Sequence, residues 1–352
     1  MKLFTLGPVE MGPDILKISG EQPPYFRTPE FSELIKRIEK NFLKVLNAPE
    51  GSRLLILTAS GTGAMEAAVC NALTANDKVL VISGGSFGRR FEDLCRIYRI
   101  PFTPVYVEFG CTLTDEMLKC YEGQGYTALL VNLHETSTGQ LYDGRMLGKF
   151  CRDNGLCFIV DAMSTFLADP LDMKEIGADL VITSSQKALA LDPGLSFIVS
   201  GNKINRERIL KNNVQNLYFD LKDYFYNMDR GQTPYTPAVN IICQLEKRLE
   251  EIITKGLEKI IEEHKSRAVY FRRKCKENGI YVAEYPLSNA LTPIVFENRN
   301  AYDIFTELKE KYNIMLTPSS GSLAHRLLRV GHLGSLCLED YDEVVQRLKE
   351  VI

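Results

Sequence analysis

The sequence predicts an α/β protein with a large domain built on a mainly parallel seven-stranded sheet and a small C-terminal α+β domain. Short apolar runs alternate with helical patterns along the first 200 residues, and several runs (ALLVN, CFIVD, DLVIT and LSFIV) are continuously hydrophobic. Such runs are typical of strands that helices cover on both faces. After residue 200 the alternation stops, and long amphipathic helices and a shorter mixture of strands and helices follow.

The large domain is expected to contain seven strands and four clear helices. The predicted strands are residues 53–57, 78–82, 103–107, 128–132, 157–161, 179–183 and 195–200. The predicted helices are residues 61–72, 91–98, 113–124 and 144–154. No helix fits between the last two strands, so one strand of the otherwise parallel sheet is expected to run antiparallel.

The C-terminal part of the chain has a different pattern. Residues 240–278 carry Ile241, Leu245 and Leu249 at helical spacing, which predicts one or two long amphipathic helices. Further strands are predicted at residues 280–284, 292–296, 314–318 and 327–331, and helices at residues 301–312 and 338–351. We therefore expect residues 1–240 to form the large domain and residues 241–352 to form a linking helix and the small domain.

Composition and charge disfavour several classes of function. The 42 Lys and Arg residues against 45 Asp and Glu give a net charge of −3, without the basic surplus of nucleic-acid-binding proteins. None of the nine Cys forms a C-x-x-C pair, and none of the four His is paired at helical spacing, so neither disulfides nor a metal site is expected. No apolar run reaches the ~18 residues of a membrane span, and the first residues do not resemble a signal peptide. These observations predict a cytoplasmic protein with no membrane partner.

A small-residue segment follows the first predicted strand. Residues 58–66, TASGTGAME, open a helix, and their free backbone N–H groups could surround a phosphate with help from the helix dipole. A tight turn that the glycines permit is an equally good interpretation. The segment is neither a Walker A motif, since no Lys follows, nor a dinucleotide fingerprint, since the third Gly is missing.

Other chemically useful side chains also lie just beyond predicted strands. Asp161 ends the strand CFIVD, where it could pair with a ligand cation or cap the next helix. Lys187, in SSQKAL, could be a desolvated nucleophilic amine or an ordinary surface lysine. The loop HETSTG, residues 134–139, offers several hydroxyls, and His134 within it is more typical of a structural histidine than of a metal ligand. Arg329 interrupts an apolar strand, and could clamp a carboxylate or face water at a sheet edge.

Taken together, these groups are what is needed to hold pyridoxal phosphate and an amino acid. In the segments LGPV, SGTGAMEAAV, HETSTG, VDAMS, SSQKAL and LRVGHLG, the sequence resembles class V pyridoxal-phosphate aminotransferases. This branch includes alanine–glyoxylate, serine–pyruvate and 2-aminoethylphosphonate–pyruvate transaminases. The resemblance covers almost the whole chain, and SSQKAL with Asp161 upstream is its most specific part. It implies the fold-type I architecture and a homodimer with its active sites at the subunit interface.

The resemblance also implies a role for each matching residue. Lys187 would bind pyridoxal 5'-phosphate as a Schiff base and move a proton, Asp161 would keep the ring nitrogen protonated, and Arg329 would bind the substrate carboxylate. The remaining cofactor contacts would be Ser60, Gly61, Thr62 and Gln186 at the phosphate, Phe87 and Met163 on the two ring faces, Thr136 at the ring 3-oxygen, and Thr236 reaching the phosphate from the neighbouring subunit. Many relatives have Trp in place of Phe87. The implied reaction moves an amino group from a donor of the alanine, serine or 2-aminoethylphosphonate type to a 2-oxo acid such as pyruvate or glyoxylate.

Two other functions compete with this prediction. A cysteine desulfurase-like lyase of the same fold would need a nucleophilic Cys near the small domain, where this chain has SSGSL at residues 319–323, and a His at the position of Gln186. A non-catalytic α/β ligand-binding protein would explain the fold but not Lys187, Asp161 and Arg329 together. The amino donor is left open, because Arg89 and Arg90 could form a second anion site or simply be exposed at the start of a helix.

Overall fold

The computed structural model describes residues 1–352. The strands, β1 to β14 in chain order, are Lys2–Leu3, Arg53–Leu57, Val79–Ser83, Phe102–Tyr106, Ala128–Asn132, His134–Glu135, Gln140–Leu141, Cys157–Asp161, Leu180–Ser184, Ser196–Ser200, Leu291–Val295, Ile314–Met315, Thr317–Pro318 and Leu327–Gly331. The α-helices, α1 to α13 in chain order, are Pro13–Ser19, Pro29–Val45, Gly61–Ala72, Ser86–Ile97, Asp115–Lys119, Gly144–Asn154, Met173–Ile176, Asn202–Ile204, Leu221–Asp229, Val239–Lys255, Leu257–Glu277, Ala301–Tyr312 and Leu338–Val351.

The large domain is organised around a seven-stranded sheet with the strand order β2-β10-β9-β8-β5-β3-β4. Strands β9, β8, β5, β3 and β4 are parallel, and β10 runs antiparallel to both of its neighbours. Every residue of β3, β5, β8, β9 and β10 is buried, as continuous apolar strands between two helical layers require. The predicted fold class and the single antiparallel strand are therefore confirmed.

The main sheet gathers the carboxyl ends of its parallel strands at one edge. Asn132 at the end of β5 pairs with Asp161 at the end of β8, and Asp161 pairs with Ile182 of β9. Strand β2 has the same direction, because both β2 and β9 are antiparallel to β10. The loops that follow β2, β5, β8 and β9 consequently start from one edge of the sheet, where α/β folds bind ligands.

The small domain contains a three-stranded antiparallel sheet in the order β11-β14-β13. Its own core includes Phe271 of α11, Ile304 of α12 and Tyr341 of α13. The N-terminus also belongs to this core, because β1 pairs with β12 and Phe4 is buried there. The sequence patterns did not predict this N-terminal strand.

Several boundaries differ from the prediction. The predicted strand at residues 280–284 is wrong, since only Val282 bridges Ile294 there, and the strand predicted at residues 314–318 is divided into β12 and β13. Helix α4 begins before its predicted start because its first turn, SFGRR, has no apolar periodicity and is fixed by a tertiary contact described below. Helices α10 and α11 are separate because Gly256 between them has a φ of +93°.

The linking helices contribute to both hydrophobic cores. Leu245, Leu249 and Ile252 of α10 pack in the large core, together with Ile260 near the start of α11. Phe271 and Cys275, later in α11, belong to the small core. The predicted division after residue 240 stays a prediction.

Two further findings concern membrane-spanning helices and metal-ligating side chains. No helix is both long and apolar enough to cross a membrane. No group of three or more His, Cys, Asp or Glu side chains has an arrangement that could hold a metal ion, and all nine cysteines are free.

Candidate active site

A cavity of about 550 Å³, measured to its open mouth, lies at the carboxyl edge of the main sheet. It is lined by all the predicted cofactor residues except Thr236, namely Ser60, Gly61, Thr62, Phe87, Thr136, Asp161, Met163, Gln186 and Lys187. Five residues that were not assigned to the cofactor also line it: Met65, Arg90, His134, Ser164 and Ser184. The segments after β2, β3, β5, β8 and β9 bring these residues together from distant parts of the sequence.

One wall of the cavity is the amino end of α3. Ser60 precedes the helix in an extended conformation, and its side chain makes no capping hydrogen bond. The N–H groups of Gly61 and Thr62 lie in the first turn, where a helix offers no backbone acceptor. A Cβ on Gly61 would lie 2.6 Å from Met163 Sδ, so the glycine lets Met163 approach this wall closely. Free N–H groups and the helix dipole make this end suitable for a phosphate.

Asp161 is the carboxylate at the base of the cavity. It is buried, and its Oδ1 accepts the Met163 N–H at 2.8 Å. Burial raises the pKa of the Asp161 carboxyl to about 7, although the Met163 N–H and the Lys187 charge act in the opposite direction. Asp161 does not cap the next helix, because α7 starts at Met173 and Asp172 caps it. The carboxylate therefore remains available for a ligand cation.

Lys187 extends into the same cavity from the loop after β9. Burial lowers the pKa of its amine to about 8; Asp161 opposes this shift, and the charges of Arg329 and Arg90 add to it. A lysine with this pKa is partly neutral, and hence nucleophilic, near neutral pH. Lys187 is therefore not an ordinary surface lysine.

The N-terminal segment packs against the stem of Lys187. A Cβ on Gly7 would lie 2.8 Å from the Gln186 carbonyl oxygen and 3.0 Å from Lys187 Cδ. Gly7 also has a φ of +133°, which side-chain-bearing residues rarely adopt. The predicted site did not include Gly7, although the motif LGPV that contains it contributed to the family resemblance.

The HETSTG loop connects the large domain to Arg329. Arg329 Nη1 donates to the Thr136 carbonyl oxygen at 2.8 Å, and Nη2 donates to the Pro318 carbonyl oxygen at 2.7 Å. Arg329 is buried on β14, the central strand of its sheet, and burial lowers the pKa of its guanidinium to about 10. The water-facing edge position is therefore wrong. Arg329 is not among the lining residues of the cavity, and it adjoins them through its hydrogen bond to the Thr136 carbonyl oxygen.

Glu135 of the same loop fixes the start of α4. Its carboxylate accepts the N–H groups of Phe87 at 3.4 Å and Gly88 at 3.1 Å, as well as the Ser137 hydroxyl. A Cβ on Gly85 would lie 2.5 Å from the Glu135 carboxyl carbon, so only glycine permits this approach. Glu135 is fully buried, and it determines where Phe87 and Arg90 enter the cavity wall.

Several buried polar atoms of the cavity lining have no hydrogen-bond partner within the chain. They are both ring nitrogens of His134, Ser184 Oγ and Gln186 Oε1. Buried polar atoms in native proteins nearly always have partners, so these atoms are available to hydrogen-bond a polar ligand. Burial, with a smaller contribution from the Lys187 charge, lowers the pKa of His134 to about 3, which keeps the imidazole neutral. The lining therefore fits a phosphorylated aromatic cofactor that carries polar substituents.

Thr236 is exposed and lies outside the cavity of its own chain. Its segment is nevertheless near the amino end of α3, because the Ala238 N–H donates to Thr58 Oγ1, three residues before that helix, at 3.2 Å. The contact of Thr236 with a neighbouring subunit's cofactor stays a prediction.

Comparisons with known proteins relate the whole chain to one family. The family model Aminotransferase class-V matches residues 25–333. The small subunit of a soluble hydrogenase from Synechococcus sp. is 30% identical over 99% of this chain and 92% of that protein. An L-aspartate–glyoxylate aminotransferase from Paracoccus denitrificans is 28% identical over 95% of this chain and 86% of that protein. The crystal structure of an alanine–glyoxylate aminotransferase from Nostoc sp. has the same fold, with a TM-score of 0.92 and 24% identity over 100% of this chain and 95% of that chain.

The raised pKa of Asp161 predicts a pH-dependent cost in stability. The folded carboxyl titrates near pH 7, whereas an unfolded one titrates near ~3.9, so the folded state retains a proton that the unfolded state loses. The free energy of unfolding should therefore fall as pH rises from about 4 to 7, by at most about 4 kcal/mol at ~1.4 kcal/mol per pKa unit. Asp161→Asn can still accept the Met163 N–H and lacks this loss.

Thermal unfolding of the ligand-free protein across this pH range measures the effect. Asp161→Asn should gain stability over the wild type as pH rises to 7, and the gain should then stay constant. Asp153→Asn, at an exposed position of α6, controls for the loss of one charge. A difference between Asp161→Asn and wild type that does not change with pH would contradict the prediction.

Proposed function

The chain belongs to the class-V aminotransferases, and we propose that the cavity beside Lys187 is its active site. The protein is a pyridoxal-phosphate-dependent transaminase. We propose that it moves an amino group from a small donor of the alanine, serine or 2-aminoethylphosphonate type to a 2-oxo acid such as pyruvate or glyoxylate. The observation that carries the proposal is the convergence of Lys187, Asp161 and the amino end of α3 on one cavity.

The chain supplies a nucleophile, an anion and a phosphate site. When bound, pyridoxal phosphate supplies an electron-accepting ring that stabilises negative charge at the donor's α-carbon. Lys187 would attach the cofactor covalently and, once released, would hold or return the proton at that carbon. Asp161 would stay ionised by pairing with the cationic ring nitrogen, which offsets the burial that raises its pKa. Ser60, Thr62 and the first turn of α3 would bind the phosphate.

Arg329 is proposed as the group that binds the substrate carboxylate. Two of its five N–H groups donate to backbone carbonyls, and Nε has no partner. The two carbonyl contacts fix the plane of the guanidinium, and the remaining N–H groups are free for a carboxylate. The contact with the Thr136 carbonyl would also couple substrate binding to the loop that carries the Thr136 hydroxyl.

The competing functions are less well supported by the site. No cysteine lines the cavity, and Gln186 precedes Lys187, so the nucleophilic sulfur of a desulfurase is missing from the lining. A non-catalytic binding protein would not require a lysine whose pKa is lowered to about 8 beside a buried carboxylate.

Substitution of Lys187 tests the assignment directly. Borohydride reduction of the holoenzyme followed by peptide mapping should find the cofactor on Lys187. Lys187→Ala should lose this attachment and at least ~10⁴-fold in turnover, because a nucleophile and a proton carrier are both removed. Lys203→Ala, at an exposed position, should behave as wild type. Label on another lysine would refute the assignment.

Arg329→Lys keeps the positive charge but removes the planar two-pronged geometry. The loss of a charge-assisted hydrogen bond costs about 1.5–3 kcal/mol, so the apparent affinity for α-amino acids should fall about 10- to 100-fold. Single-turnover spectra should show this fall with an unchanged cofactor spectrum. Arg326→Lys, at an exposed position nearby, is the control. An unchanged affinity would mean that the carboxylate binds elsewhere.

A homodimer in the cytoplasm is the proposed state of the protein. Two exposed apolar side chains, Leu217 and Tyr218, lie near the amino end of α3, because Tyr218 Oη donates to the Thr58 carbonyl oxygen at 3.0 Å. A second subunit covering this patch would bring its own Thr236 segment close to the cavity. The nine free cysteines are typical of a reducing compartment.

Sedimentation experiments test the dimer. The wild type should sediment as a dimer, and Leu217→Asp, which places a charge in the proposed interface, should produce monomers with weaker cofactor binding. Ile97→Asp changes an equally exposed apolar residue at the far end of α4 and should stay dimeric. A fully active wild-type monomer would exclude an active site shared between subunits.

A further inference from the structure

Arg90 has contacts in the cavity wall that none of the roles above explains. Its Nη1 donates to Thr62 Oγ1 at 2.9 Å, and its guanidinium carbon lies 4.8 Å from the centroid of the Phe87 ring. Arg90 therefore connects the first turn of α4, which carries Phe87, to the first turn of α3, which carries Thr62. Glu135 holds the N–H groups of Phe87 and Gly88, so this connection starts from a fixed helix end.

The hydrogen bond to Arg90 determines how the Thr62 hydroxyl can act. A hydroxyl has one proton to donate and two lone pairs to accept with. Because Thr62 Oγ1 accepts an N–H of Arg90, its own proton points away from the guanidinium. The hydroxyl is thereby kept as a donor at the amino end of α3, beside the backbone N–H groups of the same turn.

The charge of Arg90 also lacks an anionic partner. The side-chain hydrogen bond that Arg90 makes goes to a neutral hydroxyl, that of Thr62, although the arginine is partly buried. Its charge also acts on both proposed catalytic groups. Burial is the largest cause of the pKa shifts of Asp161 and Lys187, and the positive charge of Arg90 lowers the pKa of each. A partly desolvated cation with free N–H groups is stabilised by an anion. Arg89, the preceding residue, is exposed and does not line the cavity.

We propose that Arg90 is a cofactor-binding residue that recognises the phosphate group, by its charge and by holding the Thr62 hydroxyl as a phosphate donor. The proposal rests on the proposed function, because the phosphate belongs to the cofactor. It assigns different roles to two adjacent arginines and adds a residue outside α3 to the phosphate site. Phe87 and the phosphate site are thereby fixed by one side chain.

The ratio of affinities for pyridoxal 5'-phosphate and for pyridoxal measures the proposed role, because the two ligands differ only in the phosphate. Both are titrated into cofactor-free wild type, Arg90→Gln and Arg89→Gln. Arg90→Gln should bind pyridoxal phosphate at least tenfold more weakly and pyridoxal within about twofold of wild type. Inorganic phosphate should also compete less well with pyridoxal phosphate in Arg90→Gln. Arg89→Gln should match wild type with all three ligands.

A double-mutant cycle separates the two parts of the proposal. Thr62→Val removes the hydroxyl that Arg90 orients, so its effect on pyridoxal phosphate binding should be smaller in the Arg90→Gln background than in wild type. Arg90→Lys keeps the charge without the planar fork and should lose part of the affinity ratio. It also provides the test if Arg90→Gln fails to fold.

Three results would overturn the proposal or its premise. An equal loss for both ligands would show that Arg90 acts on the ring through Phe87 rather than on the phosphate. An unchanged ratio combined with weaker binding of an acidic amino donor would make Arg90 a substrate residue. If wild type bound neither ligand, the proposed function itself would fail. If wild type bound both ligands and Arg90→Gln had the same ratio of affinities, only the role of Arg90 would fail.

Discussion

The burial of two opposite charges at the carboxyl edge of one sheet is the constraint on which the rest of the site depends. Burial raises the pKa of Asp161 to about 7 and lowers that of Lys187 to about 8, so both groups titrate close to neutral pH. Each shift disfavours the charged form, and a ligand that brings a cation to Asp161 or consumes the neutral amine of Lys187 relieves it. The strands tolerate this cost because their buried apolar residues supply the stability of the large core.

The second organising element is the carboxylate of Glu135, which is buried and does not line the cavity. Glu135 accepts backbone N–H groups from the first turn of α4, and its neighbour Thr136 provides the carbonyl that Arg329 binds. One short loop therefore positions Phe87, Arg90 and Arg329, which come from the large and the small domain. Removal of such a carboxylate would leave helix-terminal donors without acceptors inside the protein.

The N-terminal segment shows how distant parts of the chain complete the site. Strand β1 pairs with β12 of the small domain, and the Gly331 N–H donates to the Phe4 carbonyl oxygen at 2.8 Å. The chain then passes over Lys187 at Gly7 before it enters the large domain at α1. The N-terminal segment and Arg329 therefore both connect the small domain to the site, the first by packing on Lys187 and the second by its hydrogen bond to the Thr136 carbonyl oxygen.

The sequence by itself determined the main sheet, its antiparallel strand and the residues at the strand ends. Short continuous apolar runs that alternate with helical patterns are typical of strands between two layers, and parallel strands bring Asp161, Thr136 and Lys187 to one edge. The tertiary structure decided what such local patterns do not encode. It placed Arg90 rather than Arg89 in the cavity, because that choice depends on where α4 begins, and Glu135 fixes this start from 47 residues beyond Gly88 in the sequence. It also placed Gly7 on Lys187 and left residues 280–284 without a strand. Both outcomes depend on contacts with parts of the chain that are distant in sequence.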